Sequence, residues 1–407
     1  MRFHYSLAGP GDEAELRALL ASVPMPGSLT VTFEREPDYF AGCPVMGDPC
    51  RTVVAREAGE PEGPSGGALG GAPGRLAGFM CRALSHRYVD GRPRRVAYYG
   101  QLRIAPDYEG RWLLPLGRGF MRDLARDESA DLGLTAIADD NEAARSAFMR
   151  KPRPGLPTLR PLCGIRTLGI LLREPRLDSE LGVPCRVPGT GLRRPPDGVV
   201  IGCGSPESLP GIVTFLNGEG RSRQFFPVVA VDDFRPGGSC PCLASEDFIV
   251  AWRDRRVVGA CAVWDQEACK QTVLRAYGRS FARLKPLYDL FMKVGGFRPL
   301  PDIGGHIRSA YLAMTLVAGS HEAGPAGRRA RRVFAAMLDA ARDLAARKGC
   351  STLMAGFTDG DPLATVASER PNVEYRSTLC AVEGLDGADS TAVDRAPLPW
   401  YVEIARL

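Results

Sequence analysis

The sequence has no apolar run that approaches the roughly 20 residues needed to cross a bilayer. Its N-terminal stretch, MRFHYSLAGPGDEAEL, also lacks the basic and then apolar layout of a secretory signal. Histidine is scarce, with four residues in 407, and the net charge is only +5. These features predict a cytoplasmic protein with neither a membrane nor a nucleic-acid partner.

Zinc-finger spacing is missing as well, although the chain has 12 cysteines. Cys240 and Cys242 form a CPC pair, and Cys43 and Cys50 are the next closest pair. Neither pair is followed by a second CxxC or by two histidines at the spacing of a structural zinc site. The sequence therefore predicts no metal, and it predicts that most cysteines are small buried side chains in a reducing compartment.

Glycine and proline are abundant, with 47 and 34 residues, and they concentrate in two segments. Gly59–Gly74 is typical of a flexible loop, and the stretch from about Glu174 to Asp197 is typical of an interdomain linker. A chain of 407 residues also exceeds what a single hydrophobic core usually organises. We expect an N-terminal domain at 1–173, a linker at 174–197 and a C-terminal domain at 198–407.

The same unit is present twice, once on each side of this linker. TVVAREAG and RLAGFMCRAL in the first half, and FIVAWRDRRVVGACAVW in the second, each predict a β-hairpin with an apolar-Gly step, at Gly78 and Gly259. In both halves a strand, a Gly-bearing turn and an amphipathic helix follow, and then a short strand, an Asp-rich turn and a helix start. The second half has an insertion that includes SFARLKPLYDLFMKVGG, which predicts a helix. We interpret the chain as a divergent duplication, with each half folding around its own mixed α/β sheet.

The strand–turn–helix element carries a recognisable motif. The string LRIAPDYEGR, which begins at Leu102, resembles the acetyl-CoA motif of the GNAT N-acetyltransferase superfamily. The resemblance implies two tandem GNAT-like acyl-CoA N-acyltransferase domains, with acetyl-CoA as co-substrate in the first and a diverged second copy. It implies the following cofactor contacts: Leu102, Arg103 and Ile104 on pantetheine, Tyr108, Gly110, Arg111 and Trp112 around the pyrophosphate, and Asn141 at the next helix start.

The motif also departs from the family pattern. Glu109 stands at the Arg/Gln position, and Trp112 and Leu114 replace two glycines. In the second half the corresponding turn is longer, and the cluster from Arg328 to Arg332 follows it, where arginines would attract phosphate. We nevertheless expect the cofactor in the first half, because its strand, proline and glycine keep the register of the family.

Members of this family transfer the acyl group directly to an amine, which requires a base and an acid. Glu34 and Asp139 are our candidate bases. The family's tyrosine acid is replaced by Phe148, so Tyr99, or its neighbour Tyr98, is our candidate acid. For Asp139 and Asn141 helix capping explains the sequence equally well.

The sequence does not identify the acceptor, a small-molecule or protein amine. Two other functions stay open: a catalytically silent tandem module that binds acyl-CoA or a protein partner, and an aminoacyl-tRNA-dependent transferase. The second lacks support because no helical-arm insertion and no strong basic groove are evident. We expect a monomer or a weak homodimer, since a tandem fusion supplies in one chain the pairing that single-domain relatives make by dimerising.

Overall fold

In the computed structural model we describe residues 2–25, 29–58, 74–111, 113–150, 156–174, 198–385 and 398–407. The strands are β1 Phe3–Leu7, β2 Leu29–Glu34, β3 Cys50–Glu57, β4 Leu76–Val89, β5 Arg92–Ile104, β6 Leu132–Ala138, β7 Thr158–Leu171, β8 Val199–Cys203, β9 Phe248–Arg253, β10 Arg256–Asp265, β11 Gln271–Tyr277, β12 Ser309–Val317, β13 Thr352–Thr358 and β14 Asn372–Glu383. The helices are α1 Glu13–Ser22, α2 Cys43–Met46, α3 Leu113–Asp127, α4 Glu142–Arg145, α5 Leu209–Gly220, α6 Arg279–Val294, α7 Gly324–Arg347 and α8 Pro362–Ser368.

The duplicated unit is present as the sequence predicts. In the hairpin β3–β4 Gly78 lies opposite Ala55, and in the hairpin β9–β10 Gly259 lies opposite Ala251. The unit continues with a parallel strand pair joined by a long helix: β5, α3 and β6 in the first half, and β12, α7 and β13 in the second. The insertion of the second half contains β11 and helix α6, which confirms the predicted helix.

The two halves share one sheet of twelve strands, in the order β1-β3-β4-β5-β6-β14-β7-β13-β12-β10-β9-β8. The last strand of each half has crossed to the other half. Strand β14 pairs with β6, where Thr378 lies opposite Ile137, and β7 pairs with β13, where Thr167 lies opposite Gly356. Strands β7 and β14 also pair with each other along most of their length.

The expectation that each half folds around its own sheet is therefore wrong. Because the last strands are exchanged, every strand edge at the junction of the two halves is paired. Folded proteins avoid exposing unpaired strand edges. Residues 175–197 of the expected linker and 59–73 of the expected loop lie outside the described residues. The domain boundaries stay a prediction.

Helices cover both faces of the sheet. Helix α7 buries one side, with Val333, Phe334 and Met337 at most 2% exposed, against strands of the second half. In the first half the α1 side of the sheet and the α3 side form separate apolar clusters. Among the described helices, none combines the length and the apolarity that a membrane span requires.

Candidate functional site

Strands β5 and β6 separate from each other halfway along the first half. They pair in parallel at Val96–Leu132, Ala97–Gly133 and Tyr98–Leu134, and no further. Beyond this point β5 continues to Ile104, while β6 stays paired with β14 on its other side as far as Ala138. The result is a V-shaped gap in the sheet, which we call the first-half split. One of its walls is the backbone of residues 100–104.

A β-bulge lies in β5 beside the first-half split. The register between β4 and β5 shifts between Phe79 and Cys81, and Gln101 takes a φ of 54°. A positive φ is uncommon for a residue other than glycine, and such positions concentrate at functional sites. A bulge leaves one residue out of the ladder and turns its polar groups away from the neighbouring strand. Within the described part of the chain, no side chain caps the amides of Gln101 and Leu102.

The predicted pyrophosphate turn follows β5 directly. A short 3-10 turn at Pro106–Tyr108 leads to Gly110, whose φ of 75° favours glycine and whose Cα faces open space. Helix α3 begins at Leu113, so the turn stands at a helix N-terminus, where backbone amides and the helix dipole favour an anion. Glu109 remains a negative charge at this turn. Trp112 lies outside the described residues.

Tyr108 does not line this turn with its ring. The ring is 3% exposed, and its hydroxyl donates a 2.6 Å hydrogen bond to Oε2 of Glu57, which raises the tyrosine pKa. Arg111 contacts the turn through its backbone amide, 3.2 Å from the oxygen of Tyr108. Tyr108 therefore anchors the turn to β3.

Leu102, Arg103 and Ile104 all lie on the wall of the first-half split, where the sequence places them. The side chain of Arg103 is largely buried and turns back to the oxygen of Leu102 at 2.9 Å, and burial lowers its pKa. On the α3 side a cavity of about 40 Å³ is lined by Leu102, Ile104, Met80 and Met121, among others. It is apolar and small.

Glu34 and Tyr99, two of the predicted catalytic residues, lie on strands of different sheets. Glu34 ends β2, which forms a separate two-stranded ribbon with β11, and its carboxylate accepts hydrogen bonds from Thr32 and Arg275. Tyr99 points to the α3 side, where its hydroxyl accepts a 3.2 Å hydrogen bond from Nε of Arg82. Both side chains have structural partners.

Asp139 and Asn141 lie in the turn between β6 and α4. The Asp139 carboxylate pairs with Arg145 at 3.1 Å and accepts a 2.8 Å hydrogen bond from Thr378. Asn141 is the N-cap of α4, and its side-chain oxygen accepts a hydrogen bond from the amide of Ala144 at 3.0 Å. Asn141 is therefore a helix cap, which is the alternative that the sequence left open. It lies at the end of β6, at the wide end of the first-half split.

Tyr98 is closer to the narrow end of this split than Tyr99 is. It is the last residue of β5 that pairs with β6, and its hydroxyl receives a hydrogen bond from the backbone of Ala136. Burial raises its pKa to about 12. The two tyrosines are neighbours in a strand, so their side chains point to opposite faces of the sheet. The sequence alone could not tell which of these faces belongs to the site.

The second half repeats the split and the bulge. Strands β12 and β13 pair from Ser309–Thr352 to Leu312–Ala355, after which β12 leaves β13 and continues to Val317 beside β10. The register between β10 and β12 shifts in the same way, and Met314 takes a φ of 48°. We call this gap the second-half split.

The chain itself fills the second-half split, with residues 400–405. Oε2 of Glu403 accepts a 2.6 Å hydrogen bond from the bulge amide of Met314, and the hydroxyl of Tyr401 accepts one from Thr315 at 3.2 Å. Tyr401 in turn donates to Glu403 at 2.8 Å. The bulge amides of the second half are thus occupied by side chains.

Apolar packing completes this filling. Ile404 lies so close to Gly356 of β13 that a Cβ at that glycine would come within 2.3 Å of it. The hydroxyl of Thr358 donates to the oxygen of Trp400 at 3.0 Å. Nothing in the composition of residues 400–405 indicated this role, because strand-like apolar residues near a terminus are compatible with many positions. The sequence did not indicate the two bulges either, since neither contains glycine.

The described part of the chain brings no three His, Cys, Asp or Glu side chains together in a way that could hold a metal ion. His321 lies in the turn after β12, with Nε2 4.0 Å from Oδ1 of Asp361. Its pKa is lowered to about 4 by burial and by the nearby Arg223. This histidine is therefore neutral at physiological pH.

Comparison with solved structures identifies the fold. N-myristoyltransferase of Saccharomyces cerevisiae with bound myristoyl-CoA is similar over 93% of this chain and 82% of its own, with a TM-score of 0.56 and 9% identity. A second structure of that enzyme, with myristoyl-CoA and inhibitors, reaches a TM-score of 0.58 over 97% and 84%, again at 9% identity. A GCN5-related glucosamine N-acetyltransferase region of a fungal GH3 β-N-acetylglucosaminidase is similar over 94% of this chain and 38% of its own, with a TM-score of 0.55 and 14% identity.

These likenesses confirm the GNAT-like fold, mixed α/β and repeated in tandem, over most of the chain. No protein-family model matches the sequence. Comparison with curated proteins gives no match either. At identities this low the similarity shows the fold, and the function has to be argued from the site.

Proposed function

We propose that this protein is an N-acyltransferase that binds acyl-CoA in the first-half split and transfers its acyl group to an amine. One observation carries the proposal: the same split and bulge occur in both halves, and only the second is filled by residues 400–405 of the chain. In the first, none of the described side chains is hydrogen-bonded to the bulge amides, and β6 does not pair with residues 100–104. The solved structures of similar fold are N-acyltransferases, which supports this choice.

The geometry favours direct transfer. Pantetheine would lie along residues 100–104 and pair with the backbone groups on the side of β5 that β6 leaves uncovered, while the pyrophosphate would lie at Gly110 and the start of α3. The thioester oxygen would accept hydrogen bonds from the amides of Gln101 and Leu102, which stabilise the negative charge that develops there. The amine attacks the carbonyl carbon, the C–S bond breaks, and the departing CoA thiolate takes a proton.

Two tyrosines are candidates for the proton donor. Tyr99 is the residue that the sequence favoured, and its hydroxyl is bonded to Arg82 on the α3 side. Tyr98 has its hydroxyl between β5 and β6 at Ala136, and its raised pKa keeps it protonated at neutral pH. We propose Tyr98 as the better placed acid, with Asp139 or Glu34 as the base.

The acyl group that fits best is short. The cavity of about 40 Å³ beside the bulge is small and apolar, which suits an acetyl group better than a long acyl chain. This favours acetyl-CoA, as the family resemblance implied, although the similar yeast enzyme was solved with myristoyl-CoA. The acceptor remains a small-molecule or protein amine.

A silent binding module is the second candidate. It is favoured by the partners of the predicted bases, because Glu34 is paired with Arg275 and Asp139 with Arg145. Such a module would bind acyl-CoA in the same split without turning it over.

The test separates binding from turnover. Calorimetric titration with acetyl-CoA, CoA and myristoyl-CoA should give one site per chain, with acetyl-CoA bound more tightly than myristoyl-CoA. Release of free CoA thiol in the presence of a panel of amines then measures transfer. Binding without release in any amine would support the silent module, and absence of binding by all three ligands would overturn both proposals.

A further inference from the structure

Helix α6 exposes its apolar side to solvent. Leu284, Leu287, the adjacent pair Leu290 and Phe291, and Val294 are spaced three or four residues apart along the helix, so they form a single face. Their exposed fractions are 59%, 66%, 57%, 57% and 80%. A contiguous apolar face of this kind marks an interaction site more often than scattered apolar residues do.

The opposite side of α6 holds it on the protein. Met292 is 1% exposed, and Phe281 stacks on Tyr277 with 5.6 Å between the ring centroids. The hydroxyl of Tyr277 donates to the oxygen of Pro301 at 2.7 Å. The helix is thus docked through other contacts, and its outward leucines are not needed for that packing.

Basic side chains border the apolar face. Arg279, Arg283 and Lys293 are exposed, and within the described residues none of them has an ion pair. The other charged residues of α6 are Lys285 and Asp289, which pair with each other at 2.6 Å. The leucine-rich face therefore has positive charge along one edge.

We propose that α6 docks this protein onto the surface of an anionic lipid bilayer. A helix that lies in the membrane interface combines apolar side chains, which enter the acyl boundary, with Lys and Arg, which contact anionic headgroups. Both components are present on one exposed face of α6. This is peripheral binding, which requires no spanning segment, and it revises the sequence-based expectation of no membrane partner.

A second copy of the chain fits this face less well. In a twofold symmetric contact the same patch lies on both sides, so Arg279, Arg283 and Lys293 would approach their own counterparts. Like charges placed opposite one another disfavour association. An anionic bilayer offers the opposite sign over the whole face.

Co-sedimentation with lipid vesicles tests the proposal. The full-length protein should bind vesicles of phosphatidylcholine with 30% phosphatidylglycerol, bind vesicles of phosphatidylcholine alone far more weakly, and lose affinity at 0.5 M NaCl. Arg279→Gln/Arg283→Gln/Lys293→Gln should weaken binding on the order of 100-fold, since each basic residue near an anionic surface adds several-fold in affinity. Leu287→Gln/Leu290→Gln should weaken it at least about tenfold.

A matched control separates this face from apolar exposure in general. Val200→Gln/Leu116→Gln alters two side chains that are 67% and 55% exposed elsewhere, and it should leave vesicle binding unchanged. Unchanged melting temperatures would show that all variants fold. Absence of wild-type binding to the anionic vesicles would overturn the proposal, as would equal loss in the control. Dimerisation that Leu287→Gln/Leu290→Gln abolishes, without vesicle binding, would assign the face to a second copy instead.

Discussion

The two halves of this chain carry the same split in the sheet and put it to different uses. In the first half the bulge at Gln101 faces a gap that no described side chain caps. In the second half the bulge at Met314 is capped by Glu403, and residues 400–405 fill the gap. Duplication evidently preserves the backbone of the unit more faithfully than its ligand site.

This difference should also separate the residues that determine the stability of the fold from those that determine ligand binding. A filled split adds buried contacts to the fold, whereas an open one leaves backbone groups unpaired that a ligand can later satisfy. We therefore expect variants of the second-half split to change the free energy of unfolding. Variants of the first-half split should mainly change the affinity for acyl-CoA.

The largest expected effect concerns the joint between the halves. Proteolytic cleavage between residues 174 and 198 should leave the two fragments associated, because β14 lies between β6 and β7 and each fragment completes the sheet of the other. Size-exclusion chromatography of the nicked protein should give one peak, and two only in denaturant. Two separate folded fragments in native buffer would show that the exchange of strands is not maintained in solution.

Glu403→Ala should destabilise the protein by about 2 to 4 kcal/mol, because it leaves the amide of Met314 and the hydroxyl of Tyr401 buried without their acceptor. Urea unfolding measures the effect. The matched first-half variant is Gln101→Ala, for whose side chain the described residues offer a single hydrogen bond, from Sγ of Cys81 at 3.8 Å, and it should change stability by less than about 0.5 kcal/mol. Equal effects in the two variants would contradict the distinction between a filled and an open split.

The pH dependence of stability should come in part from the second half. Burial lowers the pKa of His321 to about 4, so the unfolded chain binds this proton first, and stability is lost as the pH falls from about 6.5 toward 4. Asp361 acts in the opposite direction, because burial raises its pKa to about 6 and proton uptake then favours the folded state. The two contributions partly cancel in the wild-type protein.

His321→Gln removes the contribution of the histidine to the pH dependence of stability. Relative to the wild type, the variant should gain about 2 kcal/mol between pH 7 and pH 5, as measured by urea unfolding across that range. Asp361→Asn, which keeps a capping side chain on α8, should shift the difference the other way. Parallel pH curves for His321→Gln and the wild type would mean that the histidine titrates normally in the folded protein.

Local patterns predicted the repeated unit well. The hairpins at Gly78 and Gly259 and the strand–helix–strand order depend on alternation and turn residues that lie next to one another in the sequence. The exchange of β7 and β14 was not predictable in this way, because either strand satisfies its hydrogen bonds equally well in its own half. The partners of Glu34 and Asp139 were missed for a similar reason: Arg275 and Thr378 come from the other half of the chain.

The smallest expected effects decide which half binds the cofactor. Gly110 and Gly324 have φ values of 75° and 70°, and both face open space, so valine introduces the same backbone strain at either position. If the pyrophosphate lies at the first turn, Gly110→Val displaces the amides that bind it. We expect about tenfold weaker acetyl-CoA binding in calorimetric titration for that variant alone.

Gly324→Val, which alters the start of α7, should bind acetyl-CoA within about threefold of the wild type. The same holds for Arg328→Gln/Arg329→Gln, since phosphate attraction at α7 contributes little when residues 400–405 occupy the second-half split. A large loss of acetyl-CoA affinity in Gly324→Val or in the arginine variant, with Gly110→Val unaffected, would place the cofactor in the second half. Residues 400–405 would then have to leave the second-half split when the cofactor binds.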